Sequence, residues 1–443
     1  MLSNQVKVIK IEDNCNAIYN NLLLEIIYVT DLELKDILDE RVKDKDTLDL
    51  LYENGIYIKD EVIDKKALDA LKENLEQKNG LLDIMYLILT NNCNLACRYC
   101  FLDNNPNNEH AIAKTMTKDI AFKAIDKFAN YLKDNYMNSG TIIFYGGEPF
   151  IEKELFFECV RYARKYDIKW LYSVITNGTL VDDEIIEFCK EYDINIGLSL
   201  DGPQDIHDKN RVYRLNEKPT YGKCMETKSK LDRNNNSYGL SMVASDEFIN
   251  DFEKVTKWLE SNHEGDIYYN LMHFSEYKES NKEYAYKVAD FLIKTYEYVE
   301  KNNLLFSEGR LQRQIDSFIG NKFVFSDCGA VGCHQVAVLP SGNLTICHGD
   351  SVDSKHWIGN IDTIKFEDIK NTKEGRDFKN YATLYDNKCI DCEAIYICGG
   401  GCPHQSGNIC NSRFERDENF CIYVKEVLKW LLKRGYKYSI NKW

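Results

Sequence analysis

Six short runs between residues 85 and 274 constrain this chain more than any other feature: "MYLILT", "GTIIFYGG", "LYSVITNG", "INIGLSLDG", "SYGLSMVAS" and "DIYYNLMHF". Each is apolar, β-branched or aromatic, and helical stretches separate them. In one such stretch, "KDIAFKAIDKFANYLKD", Ala121, Ile125, Phe128 and Leu132 share one helical face. Strands that alternate with amphipathic helices bury both faces of a parallel sheet. Six such units predict an α/β fold built on a partial (β/α)6 TIM barrel, in which chemistry belongs at the C-terminal strand ends.

The flanks read differently. Residues 1–80 begin with the β-type runs "VKVIKI" and "LLLEIIYV", continue through a capping box formed by Thr30 and Glu33, and add two more helical segments around the strand-like "IYI". That order predicts a small winged-helix module whose sheet edge can accept an extended peptide. Residues 81–275 carry the barrel, 276–326 a helical bridge, 327–425 a cysteine-rich region and 426–443 a basic amphipathic helix that packs back on the body. A chain of 443 residues has room for about two to three domains.

Composition excludes several classes. A net charge of -15 leaves no excess of Lys and Arg for phosphate backbones, so no nucleic-acid partner is expected. The N-terminus lacks a signal-type apolar core and no run of about 18 apolar residues occurs, so a cytoplasmic protein without membrane contact is expected. Sixteen cysteines in a reducing compartment point to metal or redox chemistry rather than disulfides. Cys15, Cys159, Cys189 and Cys224 stand alone and read as small core residues.

Cys93, Cys97 and Cys100 follow the first strand at x3 and x2 spacing. A closed structural zinc site needs four ligands, and His110 is the nearest fourth candidate, at an unusual separation. Three thiolates on one iron–sulfur cluster instead leave one iron open to a small molecule. After the next strand, "FYGGEPF" sets Gly146 and Gly147 where a backbone must approach a ligand closely, with Glu148 able to accept a hydrogen bond from an amino group.

"CNLACRYC" followed by "GGEP" resembles the radical S-adenosylmethionine (SAM) superfamily over about residues 84–275. The resemblance implies that Cys93, Cys97 and Cys100 hold a 4Fe-4S cluster whose free iron binds SAM, and that one electron then yields a 5′-deoxyadenosyl radical. It also implies that Tyr99 touches the adenine, that Gly146, Gly147, Glu148 and Pro149 hold the methionyl amine, that Ser199 contacts SAM, and that Arg211 pairs with its carboxylate. "TNG" at Thr176 to Gly178 is a further match.

The later cysteines resemble the SPASM extension of peptide-modifying radical SAM enzymes: Cys333 and Cys347 bracket Gly342, and Cys389, Cys392, Cys398 and Cys402 run as C-x2-C-x5-C-x3-C before Cys421. The resemblance implies two auxiliary 4Fe-4S clusters, held by Cys328, Cys333, Cys347 and Cys402 and by Cys389, Cys392, Cys398 and Cys421, making three clusters in all. Cys410 is left over and competes with Cys328 for a place in the first set. A zinc ribbon is the other reading of "CIDCEAIYICGGGC". The N-terminal module resembles leader-binding elements of ribosomal peptide biosynthesis. His348 stands directly after Cys347, where anaerobic sulfatase maturases carry an Asp, and Asp350 lies close by. Taken together, the resemblances imply a maturase that forms thioether cross-links in a short precursor peptide with an N-terminal leader, fed by a donor such as flavodoxin or ferredoxin. A carbon–carbon cross-linker and a sulfatase-type maturase are the alternatives.

Overall fold

The computed structural model describes residues 1–78, 80–100, 102, 114–271, 281–410 and 412–440. Three antiparallel strands, β1 (Val6–Glu12), β2 (Cys15–Asn20) and β3 (Ile26–Val29), open the chain in the order β1-β2-β3. Helices α1 (Asp31–Leu38), α2 (Lys45–Glu53) and α3 (Val62–Lys78) follow. The Thr30–Glu33 capping box forms as expected. The expected strand "IYI" reduces to a single bridge between Leu2 and Tyr57.

Strand β2 is buried along its whole length, and the reason lies in the two-residue period of a strand. Ile18 points into a small core with Val29, Ile37, Leu51 and Ile56. Cys15, Ala17 and Tyr19, on the other face, join the large core that also holds the barrel's Met85, Leu87 and Phe128. Leu75 of α3 packs with Val331, Tyr381 and Ile395 near the C-terminal cysteines. The N-terminal module is therefore part of the body on two sides.

The main sheet runs β4 (Ile84–Thr90), β5 (Ser139–Gly146), β6 (Lys169–Thr176), β7 (Ile194–Ser199), β8 (Tyr238–Ala244) and β9 (Gly265–Leu271), all parallel. A short seventh strand, β10 (Phe306–Glu308), pairs parallel with β9. It interrupts the expected helical bridge between helices Lys282–Asn302 and Gly309–Gly320. Three residues are too few to show a strand period in sequence.

On its other side the sheet does not stop at β4. Strand β11 (Gln335–Val338) pairs parallel with β4, and β12 (Asn343–Thr345) and β13 (Gly359–Asn360) continue antiparallel. Met85, Leu87 and Leu89 of β4 face the helical layer. Ile88 faces the barrel interior with Ala337, Leu339 and the rings of Tyr86 and Tyr145.

The last helix, Glu418–Ile440, begins earlier than its apolar pattern indicated and includes Cys421. It buries Tyr423, Val424, Val427, Leu428, Leu431 and Leu432 in the main core. Among the described residues no helix is long and apolar enough to cross a membrane.

Because β2 and α3 complete cores that belong to the rest of the chain, a protein lacking residues 1–80 should bind a hydrophobic dye and melt below the full-length chain. Equal melting temperatures for the two would contradict the shared core.

Candidate active site and cysteine clusters

The C-terminal ends of β4, β5, β6 and β7 carry the residues singled out above. The loop after β4 holds Cys93, Cys97 and Cys100, and its backbone is tied down by a strand-like partner. Ala96 N donates to Val212 O at 2.9 Å, Arg98 N to Asn210 O at 2.9 Å and Arg214 N to Asn94 O at 2.9 Å. Arg214 also donates from Nε to Cys93 O at 3.1 Å and from Nη2 to Leu95 O at 2.9 Å. Asn177 Nδ2 lies 3.8 Å from Cys93 Sγ and 2.9 Å from Asn94 Oδ1. His110 lies outside the described residues.

The glycine pair answers a closer contact than expected. Gly147 N donates to Thr90 O at 2.9 Å and Glu148 N to Asn92 O at 2.8 Å. A Cβ on Gly146 would stand 2.2 Å from Thr90 O, and one on Gly147 2.0 Å from Asn92 O. The backbone that approaches is that of the cysteine loop itself, so these glycines clamp two strand ends together.

Glu148 is fully buried. Oε1 accepts from Thr176 Oγ1 at 2.7 Å and Phe150 N at 3.2 Å, and Oε2 accepts from Asn177 N at 2.8 Å. Burial outweighs these donors and pushes its carboxyl up to about 7. Pro149, also buried, opens the 3-10 turn that Glu148 caps. Burial likewise pushes the Cys93 thiol up to about 12, with Glu148, Cys97 and Cys100 adding to the effect.

Arg211 has a partner within the protein. Its Nε and Nη2 donate to Asp201 at 2.9 and 3.2 Å, a bidentate pair with both side chains buried. Tyr99 directs its hydroxyl onto the same carboxylate, and its ring lies under the Arg211 guanidinium. Val243 N donates to Asp201 at 3.0 Å. Burial raises the Asp201 carboxyl, yet Arg211 holds it below the usual range. Asp201 and Arg214 were not singled out from sequence, although Asp201 lies inside the quoted "INIGLSLDG". Ser199 closes β7, half-buried, beside Ser241 of β8.

The C-terminal cysteines separate into two groups. Cys389, Cys392, Cys398 and Cys421 sit close enough that burial and the other three thiols together raise Cys398. Cys328, Cys347 and Cys402 influence one another in the same way and line one cavity of about 280 Å³ with Asn270 and Leu271 at the end of β9. Cys333 does not join them. Its thiol donates to Gly375 O at 3.3 Å, and Lys379 and Lys370 are its charged neighbours. Cys410 is also apart, facing Arg416 O at 3.7 Å.

The His348 ring stacks on Tyr86 at 4.6 Å and meets the edge of Tyr145 at 4.9 Å. Asp350 is buried and bound by His404 Nδ1 at 2.9 Å and Arg413 Nη2 at 2.6 Å. Burial raises its carboxyl, but these two partners win and hold it near 2. Asp350 is thus an ionised member of an internal ion pair.

Removing one partner of a buried pair strands the other charge, so Asp201→Ala should lower stability by about 3–5 kcal/mol. Urea unfolding measures this. The double variant Asp201→Ala/Arg211→Met, which strands no charge, should recover part of the loss, and no recovery would refute the pairing argument.

Comparisons with known proteins agree with this geometry. Residues 87–259 match the Radical SAM superfamily, and residues 328–393 match SPASM, an iron-sulfur cluster-binding domain. The radical SAM cyclopropyl synthase TigE of Paramaledivibacter caminithermalis is 24% identical over 96% of this chain and 88% of its own. The cysteine-type anaerobic sulfatase-maturating enzyme of Clostridium novyi is 29% identical over 77% of this chain and 92% of its own. Native anSMEcpe with bound AdoMet shares the fold at TM-score 0.69 and 21% identity, covering 81% of this chain and all of that one, 100%. Streptococcus suis SuiB bound to precursor peptide SuiA does so at TM-score 0.52 and 15% identity, covering 95% and 99%.

The donor sets fit iron–sulfur chemistry. None of the sixteen cysteines is in a disulfide, and ten of them (3 + 3 + 4) gather in three soft-donor groups on tied loops, as clusters of this kind require. Among the described residues no trio of metal-binding side chains closes at single-ion distance; a cluster of several irons holds its thiolates further apart than one ion does. SAM and iron–sulfur clusters are the cofactors that the two matched domains bring. With its cysteine loop, its glycine clamp and its strand-joined cysteine-rich extension, the chain carries a Radical SAM domain joined to a SPASM domain.

Proposed function

We propose that this enzyme matures a short, ribosomally made precursor peptide by joining a cysteine sulfur to a carbon in a thioether bond. Cys93, Cys97 and Cys100 hold the SAM-binding cluster. Cys389, Cys392, Cys398 and Cys421 hold one auxiliary cluster, and Cys328, Cys347 and Cys402 hold another, giving three 4Fe-4S clusters. When bound, SAM and its cluster would supply hydrogen-atom abstraction: the carbon's hydrogen would leave in 5′-deoxyadenosine, the thiol's proton to solvent, and the remaining electron to an auxiliary cluster as the C–S bond forms.

The chain's own groups do the rest. Glu148, kept in place by Thr176 and Asn177, would accept from the methionyl amino group. Asp201 and Tyr99 fix Arg211 before any ligand arrives, so its cation needs no reorganisation. Gly146, Gly147 and Pro149 shape the turn around the amine, and Ser199 lies on the same rim. The outer strands of the N-terminal sheet, β1 and β3, suit a leader that adds as a strand. A flavodoxin or ferredoxin is the electron donor.

One observation carries the thioether reading: three thiols, not four, face the cavity beside the barrel mouth, with Cys333 turned to Gly375. That leaves a place for a thiolate from the substrate. The sulfatase-type reading is weaker. His348 occupies the position of the maturases' Asp and is packed between two tyrosines, while Asp350 is held by His404 and Arg413. The near end-to-end match to TigE favours a second reading, carbon–carbon ring formation in a peptide by the same machinery.

Three outcomes test this function. Changing Cys93, Cys97 and Cys100 together to Ala should abolish 5′-deoxyadenosine formation under dithionite while iron remains at the C-terminal sites; continued formation would sink the assignment. A co-expressed precursor should lose two hydrogens per cross-link, with its thiols resisting alkylation. Thiols that alkylate freely after the same mass loss would replace the thioether by a carbon–carbon bond.

The third outcome is a pH dependence. Glu148 sits at about 7 in the folded protein, above its ordinary 4.5. Its contribution to fold stability is therefore fullest below pH 4.5 and is lost as pH rises through about 7. SAM's ammonium favours the ionised carboxylate, so SAM affinity should fall as pH drops below about 7, measured by equilibrium binding. Glu148→Gln should bind weakly with no such slope, and a retained slope would assign the titration elsewhere.

A further inference from the structure

The N-terminal module touches the second auxiliary cysteine group at the loop Cys389–Cys392. Asn21, in the turn after β2, is completely buried. Its Nδ2 donates both hydrogens to that loop, to Ile390 O at 2.8 Å and to Cys392 O at 2.9 Å. Tyr19, also fully buried, donates its hydroxyl to Glu393 O at 2.9 Å. Three of the four carbonyls from Ile390 to Glu393 are thus held by two side chains more than 350 positions away in the chain. Cys392 Sγ in turn accepts from Ala394 N at 3.5 Å.

The orientation of Asn21 is informative. Among the described residues its buried Oδ1 has no hydrogen-bond partner, a state that carries a desolvation cost of about 1–3 kcal/mol. Turning the amide over would set that oxygen against two carbonyl oxygens, which is worse. The arrangement sacrifices one acceptor to immobilise the backbone around a cysteine. Cys392 in turn is one of the neighbours that raise the Tyr19 hydroxyl, after burial and Glu393.

We propose that Asn21 and Tyr19 are positioning residues of the Cys389/Cys392/Cys398/Cys421 site, through which the N-terminal module sets the reduction potential of the cluster bound there. The inference rests on the reading that these four thiols hold an iron–sulfur cluster. The donors offset the partial negative charge of carbonyl oxygens in the loop that carries Cys389 and Cys392. Outer hydrogen bonds of this kind are among the levers that tune cluster potentials. Without them the reduced, more negative cluster is less stable and its potential moves negative. No electron is gained or lost by the protein residues, which act only on the field.

Potentiometric titration followed by electron paramagnetic resonance, on the full-length reconstituted protein, tests this. Cys389→Ala/Cys392→Ala first identifies the signal of the second auxiliary cluster; if no signal and no iron are lost in it, the cluster assignment itself fails. In Tyr19→Phe, which keeps the ring, and in Asn21→Ala, that signal's midpoint should shift negative while the SAM-binding cluster's stays unmoved. Tyr28→Phe is the control. Its hydroxyl donates to Leu432 O at 2.8 Å, and its neighbouring thiol is Cys15, which belongs to none of the three cysteine groups, so it loses an equivalent tie from the same module and its potentials should equal the parent's. Should Asn21→Ala not fold, Tyr19→Phe alone decides. An unmoved midpoint with iron retained overturns the proposal, as does an equal shift in Tyr28→Phe, which would mean general loosening.

Discussion

Strand β4 is paired on both sides, with β5 towards the barrel and with β11 towards the cysteine-rich extension, and the spatial logic of the molecule follows from that. A parallel strand buried on both edges cannot slip by one residue without turning Tyr86 and Ile88 out of the barrel and Met85 and Leu87 out of the helical layer. Its register therefore fixes where the Cys93–Cys100 loop emerges. The same register, through β11 and β12, fixes where Cys347 stands. The two cysteine regions are set relative to each other by main-chain hydrogen bonds, without needing a flexible interface between domains.

Around this frame, buried carboxyls are assigned different states by their partners. Glu148 has neutral donors only, so burial dominates and its affinity for a proton rises. Asp201 and Asp350 are just as buried but face Arg211 and Arg413 with His404, so they stay ionised. Of the three, Glu148 is the one left without a cation beside it. The other two are internal struts.

Much of this was legible in the chain. The strand runs, the helix face of Ala121, Ile125, Phe128 and Leu132, the capping box and the cysteine spacings all depend on neighbours within a few residues, and local periodicity reports such neighbours faithfully. The second group of four thiols was legible only through resemblance. Missed were β10, too short to show a period, and Asp201 and Arg214, which serve through residues distant in the sequence. That Asp201 binds two nitrogens of Arg211 was also missed, because nothing nearby in the chain announces the pair.

By itself, then, the sequence determined the kinds of element, the order of the modules and the identity of the first cysteine loop, because each is written in spacing along the chain. Tertiary structure decided the rest. It turned Cys333 away from the cavity that Cys328, Cys347 and Cys402 share, put Asn21 and Tyr19 against the Cys389–Cys392 loop, and merged the N-terminal module into the body. Which thiols meet, and which carbonyls are held, depends on how separate strands stack and on which polar groups must find partners once buried. Those are properties of contacts between distant segments, and a one-dimensional pattern carries no measure of them.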